Sequence, residues 1–203
     1  NTGGMGAYSP APVVSEAVEK RILERVVHPT IRGMAQDGHP YQGVLFVGLM
    51  IDEAGDPYVI EFNVRFGDPE TQPLMVRMQG DLLPILADAA RGRLDEASGL
   101  DWGEAAVCVV LASGGYPRGY ETGREISGLE ALEEDDQLVV FHAGTRAGAG
   151  GEGFETAGGR VLGITARGDS VAEARARAYR AVERVHFADM HYRRDIADRA
   201  LGR

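Results

Sequence analysis

With 203 residues, the chain can bury roughly 70% of the surface its unfolded form exposes, enough for one large or two small domains. Twenty-one Lys and Arg stand against thirty-one Asp and Glu, a net charge of -10 with a pI near 5.0, which argues against a general affinity for nucleic acid, whose phosphates demand a basic surface. A composition 44% hydrophobic and 26% charged is that of a soluble globular chain, and the longest apolar run, Val44 to Ile51, is strand-sized and too short to cross a bilayer.

The chain opens on Asn1-Thr2-Gly3-Gly4-Met5-Gly6-Ala7-Tyr8-Ser9-Pro10, a glycine-rich loop whose backbone amides can approach a phosphate or carboxylate closely. A tight turn before a helix accounts for the same composition. A helix is expected from Ser15 to Val27, with Val18, Ile22 and Val26 as its apolar stripe; Pro29 should break it before a second helical piece through Met34. Gly38 and Pro40 close that segment. Gly43 to Ile51 and Pro57 to Phe66 read as two strands joined through Asp52-Glu53-Ala54-Gly55-Asp56, an antiparallel hairpin.

On the second of these strands a two-residue period sends Tyr58, Ile60, Phe62, Val64 and Phe66 one way and Glu61, Asn63 and Arg65 the other. A carboxylate and an amide oxygen two residues apart are hard donors suited to a magnesium ion shared with phosphates, and Arg65 adds a planar fork for a carboxylate or phosphate. The strand should end at Gly67, after which Asp68-Pro69-Glu70 sets two more carboxylates on a turn. An edge strand with one solvated face explains the alternation equally well.

After Gln72 a helix is expected through Leu74 to Met78, and Asp81 can cap another that buries Leu82, Leu83, Ile85, Leu86 and Ala89. Gly92 to Gly103 is the best boundary, dividing the chain into domains at 1–95 and 96–203. Beyond it, Ala105 to Ala112, Leu138 to Ala143 and Arg160 to Ala166 read as strands, and Ala147 to Gly153 as a flexible surface loop. Ser170-Val171-Ala172-Glu173 is a capping box, opening a helix with Val171, Ala174, Ala178, Val182 and Val185 inside. Arg175, Arg177, Arg180 and Arg184 on it are read as a solvated face. Cys108, the single cysteine, sits in an apolar run and is read as a core residue. The five histidines lack metal-ligand spacing and are read as structural, His142 included.

Glu61-Phe62-Asn63 followed by Arg65-Phe66-Gly67-Asp68-Pro69-Glu70-Thr71-Gln72, together with the opening Asn1 to Pro10, resembles the phosphoribosylamine-glycine ligase family of the ATP-grasp superfamily. Ala112-Ser113-Gly114-Gly115-Tyr116-Pro117, Phe141 to Thr145, Gly158 to Leu162 and Tyr192 to Ile196 are similar to the same family's C-terminal domain. The resemblance implies an α+β fold: the second half of an ATP-grasp domain, an antiparallel sheet with helices, followed by a small mixed β-rich domain. It further implies ATP with Mg²⁺ or Mn²⁺ as cofactors, glycine and 5-phosphoribosylamine as substrates, glycinamide ribonucleotide as product for purine synthesis, and a cytoplasmic enzyme without nucleic-acid or membrane partners. Glu61 and Asn63 would hold the metal and Arg65 would stabilise the transferring phosphoryl group. Thr2, Gly3, Gly4, Met5, Gly6, Asp68, Pro69 and Glu70 would contact substrate. The family's N-terminal half has no counterpart here, so that half of the enzyme is an expected partner, and the chain alone should not turn over. A noncatalytic folded module, or an ATP-grasp ligase with a different acceptor, remains an alternative at this point.

Overall fold

The computed structural model describes residues 3–95, 99–132, 135–148 and 150–202. These form two compact units interleaved along the sequence: one from 1–10, 68–78 and 102–203, the other from 11–67 and 79–101.

The first unit is built on a four-stranded antiparallel sheet of β1 (Gly6–Ser9), β6 (Ala105–Ala112), β8 (Leu138–His142) and β11 (Arg160–Gly168), in the order β1-β6-β11-β8. β6 is buried at every position because the sheet is covered on both faces, which is why its sequence runs apolar without alternation. Val107, Val109 and Leu111 join Leu162, Ile164 and the Ala174, Ala178, Ala181 and Val182 face of helix α5 (Val171–Val182). Cys108, Val110 and Ala112 form a second cluster with Met5, on the face that also carries helix α3 (Thr71–Arg77). Three shorter strands, β7 (Glu125–Ile126), β9 (Thr145–Ala147) and β10 (Phe154–Thr156), make a separate sheet in the order β7-β10-β9. The glycine-rich stretch expected as a surface loop thus lies between two paired strands; Ala149 is outside the described residues.

β1 is a departure from the sequence reading, which places a loop there. Gly6 pairs with Val109, and a β-carbon at Gly6 would come within 2.6 Å of Ile196 Cδ1 and 2.8 Å of the Cys108 carbonyl oxygen. The glycine is there for close packing as much as for turning. Two of the four arginines read as a solvated face are a second departure: Arg175 pairs with Asp198 at 2.7 Å and donates to the Ile196 and Arg194 carbonyls, and Arg177 donates to the Arg167 carbonyl at 2.5 Å, whereas Arg180 and Arg184 are exposed as expected.

In the second unit, α1 (Glu16–Ile22) is capped by Ser15, whose hydroxyl accepts from the Val18 amide. The expected break before Pro29 does not occur. The helix runs through a π-helical segment, Leu23–Val27, directly into α2 (His28–Gln36), with the His28 amide bonding back to the Leu23 carbonyl. The wider turn accommodates a proline that lacks a donor and whose ring would clash with the carbonyl four residues back. β2 (Phe46–Ile51) and β3 (Pro57–Asn63) form the expected antiparallel hairpin. Asp52 Oδ1 accepts from the Ala54 and Asp56 amides to shape its turn, and Arg25 ties α1's continuation to Asp56 at 2.8 Å. α4 (Leu82–Ala90) begins where Asp81 accepts from the Leu83 amide, but none of its residues is buried, against the expected buried face. Short strands β4 (Met78–Gln79) and β5 (Asp101–Trp102) pair with each other.

Candidate functional site

β3 ends at Asn63, not Phe66, and its register shifts opposite Gly48 and Leu49: Gly48 faces Glu61 while Leu49 faces Val59. Ile60 is the extra residue of a bulge, so strict alternation fails there. The register groups Glu61 and Asn63 with Gly48 and Phe46 on one face, and Phe62 and Val59 with Val47 and Leu49 on the other. Glu61 and Asn63 are adjacent as expected: Asn63 Nδ2 donates to Glu61 Oε1 at 3.1 Å, which leaves the amide oxygen and the second carboxylate oxygen available. Gly48 makes room for this pair, since a β-carbon there would lie 3.0 Å from Glu61 Cγ. No group of three or more His, Cys, Asp or Glu suited to a metal occurs among the described residues. Two outward hard oxygens without a closed cage fit an ion that takes its remaining ligands from phosphates and water, as magnesium does. Arg65 lies in the bend beyond the strand, exposed, its guanidinium donating to the Phe66 carbonyl at 3.0 Å.

The remaining expected residues belong to the other unit. Thr2 lies outside the described residues. Gly3 is exposed, Gly4 half-buried with φ +76°, and Met5 is 3% exposed within the core. Pro69 is fully buried, Glu70 half-buried and Asp68 exposed. Arg160, absent from the sequence-derived set, joins the loop and the turn. Its Nη2 meets Asp68 Oδ2 at 2.6 Å, and its Nη1 donates to the Asp68 carbonyl at 2.7 Å and the Gly4 carbonyl at 3.2 Å. Gln72 Nε2 donates to the other Asp68 oxygen at 3.1 Å. The only sequence signal was that Arg160 follows two glycines in a family-like string; its partners lie 92 and 156 residues away.

Cys108 is fully buried, and loss of hydration pushes its thiol up to about 12, so it is a core residue and not a nucleophile at neutral pH. His142 Nδ1 sits 2.9 Å from Thr145 Oγ1, its ring 4.4 Å from that of Phe154, in an exposed position at the strand end.

Residues 1–71 match the sequence family described as phosphoribosylglycinamide synthetase, ATP-grasp (A) domain, and residues 106–199 match phosphoribosylglycinamide synthetase, C domain. Phosphoribosylamine–glycine ligase of Escherichia coli O157:H7 is 53% identical over 204 residues, covering 100% of this chain and 47% of that protein. The Vibrio cholerae protein of the same name is 51% identical over 203 residues, with the same shares covered. The crystal structure of phosphoribosylamine–glycine ligase from Thermotoga maritima superposes with a TM-score of 0.82 at 37% identity, covering 97% of this chain and 47% of that one. The chain therefore spans about half the length of the curated relatives it matches.

Proposed function

The chain belongs to the phosphoribosylglycinamide synthetase (phosphoribosylamine–glycine ligase) family of ATP-grasp enzymes, and from that premise we propose that it supplies the second half of a ligase joining glycine to 5-phosphoribosylamine at the expense of ATP. Residues 1–95 are then the closing part of the ATP-grasp domain and 96–203 the C-terminal domain. The products are glycinamide ribonucleotide, ADP and phosphate. A carboxylate is a poor electrophile because it cannot expel oxide. Transfer of the γ-phosphoryl group from ATP to a glycine carboxylate oxygen releases ADP and gives glycyl phosphate. The ribosylamine nitrogen then attacks the carbonyl carbon, phosphate leaves with the bonding pair, and the nitrogen gives up a proton.

For such a reaction a protein mainly positions reactants and neutralises charge. The observation that carries the reading is the Glu61–Asn63 pair, held together at 3.1 Å and presented outward from a β-strand. These two would hold the divalent ion that accompanies ATP. Magnesium or manganese, when bound, offsets the charge that builds on the phosphoryl oxygens. Arg65, released from its contact with the Phe66 carbonyl, stabilises the phosphoryl group in transfer. The turn Asp68-Pro69-Glu70 serves the amine-bearing substrates, and the Thr2 to Gly6 backbone contributes amides. The reading places the enzyme in the cytoplasm with its soluble substrates; no helix among the described residues is long and apolar enough to cross a membrane.

The partner in this reading is the other half that the relatives carry. Mixing this chain with that half should restore ADP release dependent on both glycine and phosphoribosylamine, and Glu61→Ala should abolish the metal-dependent turnover while circular dichroism stays unchanged. A folded mixture that binds but releases no ADP would favour a noncatalytic module instead. ADP release with an acceptor other than phosphoribosylamine would point to a different ATP-grasp ligase.

A further inference from the structure

Asp68 and Glu70 look alike in sequence but not in their surroundings. Both Asp68 carboxylate oxygens are engaged, Oδ2 by Arg160 Nη2 at 2.6 Å and Oδ1 by Gln72 Nε2 at 3.1 Å. Its charge is already met by a guanidinium whose side chain is only 26% exposed. Glu70 is half-buried, and among the described residues its carboxylate has no hydrogen-bond donor and no counter-ion. A substrate amine or ammonium entering here finds one acid occupied and one open.

Arg160 is built to make that difference. β11 carries a register shift between Arg160 and Leu162, the one facing Ala112 and the other Leu111, which re-aims the first residue of the strand. The backbone leading to it is pinned by the buried Ser113, whose amide donates to the Gly159 carbonyl and whose hydroxyl donates to the Gly158 carbonyl, each at 2.8 Å. A β-carbon at Gly159 would lie 2.4 Å from the Tyr116 ring, and one at Gly4 would lie 2.6 Å from Arg160 Nη1. Gly4 thus leaves room for the guanidinium itself, and Gly159 lets the backbone just before Arg160 pass close against the Tyr116 ring. From a single side chain, the loop through Gly4 and the turn through Asp68 receive three hydrogen bonds.

We propose that the two acids divide the work: Arg160 is a positioning residue that locks Asp68 as a strut of the turn, and Glu70 is the carboxylate left to receive a substrate amine. This rests on the function proposed above and refines it. Locking the turn before substrate arrives removes an ordering cost from binding, and keeping Asp68 neutralised leaves Glu70 as the unshared negative charge.

The test uses the full-length enzyme with Arg160→Ala, Arg160→Lys, Asp68→Asn, Glu70→Gln and the pair Asp68→Asn/Arg160→Ala. Glu70→Gln should raise the KM of one amine-bearing substrate about tenfold or more, the loss expected for a hydrogen bond to a charged group, with the KM of ATP unchanged. Asp68→Asn and Arg160→Ala should each lower kcat/KM, and the pair should do no more damage than the worse single change, as for two residues acting as one unit. Arg160→Lys should recover part of the loss. Amide exchange supplies a readout independent of turnover: Arg160→Ala and Asp68→Asn should both speed exchange in residues 3–6 and 68–72, whereas Glu70→Gln should not. Additive losses in the pair, an unchanged exchange pattern in Arg160→Ala, or an amine KM raised by Asp68→Asn but not by Glu70→Gln would overturn the division of roles. If the wild-type enzyme fails to use glycine and phosphoribosylamine, the proposed function falls while the exchange pattern still decides whether Arg160 locks the turn.

Discussion

At the scale of single residues, burial decides the chemistry available. Cys108 lies in β6 with no exposed surface, and dehydration raises its thiol from its ordinary 9.0 to about 12. The native protein should therefore resist iodoacetamide at pH 8 for hours and label fully in urea, which mass spectrometry reads directly. The sign of the linked stability follows: the native state favours the protonated thiol, so nothing is lost below pH 9, and stability falls as pH rises from there toward 12. Urea midpoints measured across that range should drop more steeply for the wild type than for Cys108→Ala. The core character of Cys108 was legible from its apolar neighbours, and the closeness of Glu61 and Asn63 from their spacing on a strand. Arg160 was not, because a guanidinium announces its partners only when a fold brings distant backbone carbonyls to it. The same holds for Met5 and Gly6, whose packing against β6 depends on residues about a hundred positions away.

At the scale of elements, local rules were legible where the signal was local. Ser170 does cap α5, accepting from the Glu173 amide at 3.2 Å, while Glu173 Oε2 reaches the Asp169 amide at 3.2 Å, one residue earlier than a standard capping box would have it. Ser170→Ala should cost about 1 kcal/mol by urea titration, because α5 packs on the two central strands β6 and β11 and, among the described residues, its first turn has no other side-chain acceptor. Turn and cap chemistry also gave the β2–β3 hairpin and the start of α4. The misses came from elements that bend their own periodicity. The π-helical segment absorbs Pro29 without a break, and the bulge at Ile60 puts Tyr58 and Phe62 on opposite faces of β3. Short β1 carried too few residues for any period to show. Its place in the sheet makes a sharp expectation: Gly6→Val should destabilise the protein by about 1–3 kcal/mol, as overpacking does, since its new side chain would meet both Ile196 and the Cys108 backbone. A neutral result would mean that β1 is not held against β6.

At the scale of the whole molecule, the two units bury their apolar residues very unequally. Outside the unit built on β6 and β11, only Val18 and Val26 are buried hydrophobics among the described residues. The β2–β3 hairpin keeps Met50 at 53%, Tyr58 at 60%, Ile60 at 63%, Phe62 at 42% and neighbouring Val64 at 71% exposure, so in place of the single apolar side read from the sequence, apolar side chains stand uncovered on both faces of the ribbon. A two-stranded ribbon is marginal in water unless another layer packs on it, and local stability follows buried contact. Amides of β6 and β11 should consequently exchange slowest in this chain, and those of β2, β3 and α4 much faster. Apolar side chains left open in this way are what an interface covers, and relatives of about twice this length carry the further sequence available to cover them. Adding their remaining half should therefore slow exchange across Tyr58 to Val64 and reduce binding of a hydrophobic dye, independently of catalysis. If exchange across that ribbon is already as slow in the chain alone as in β6, or stays fast after the halves have combined into an active enzyme, then the ribbon is not the surface that the other half covers, and the exposed side chains of β3 require another explanation.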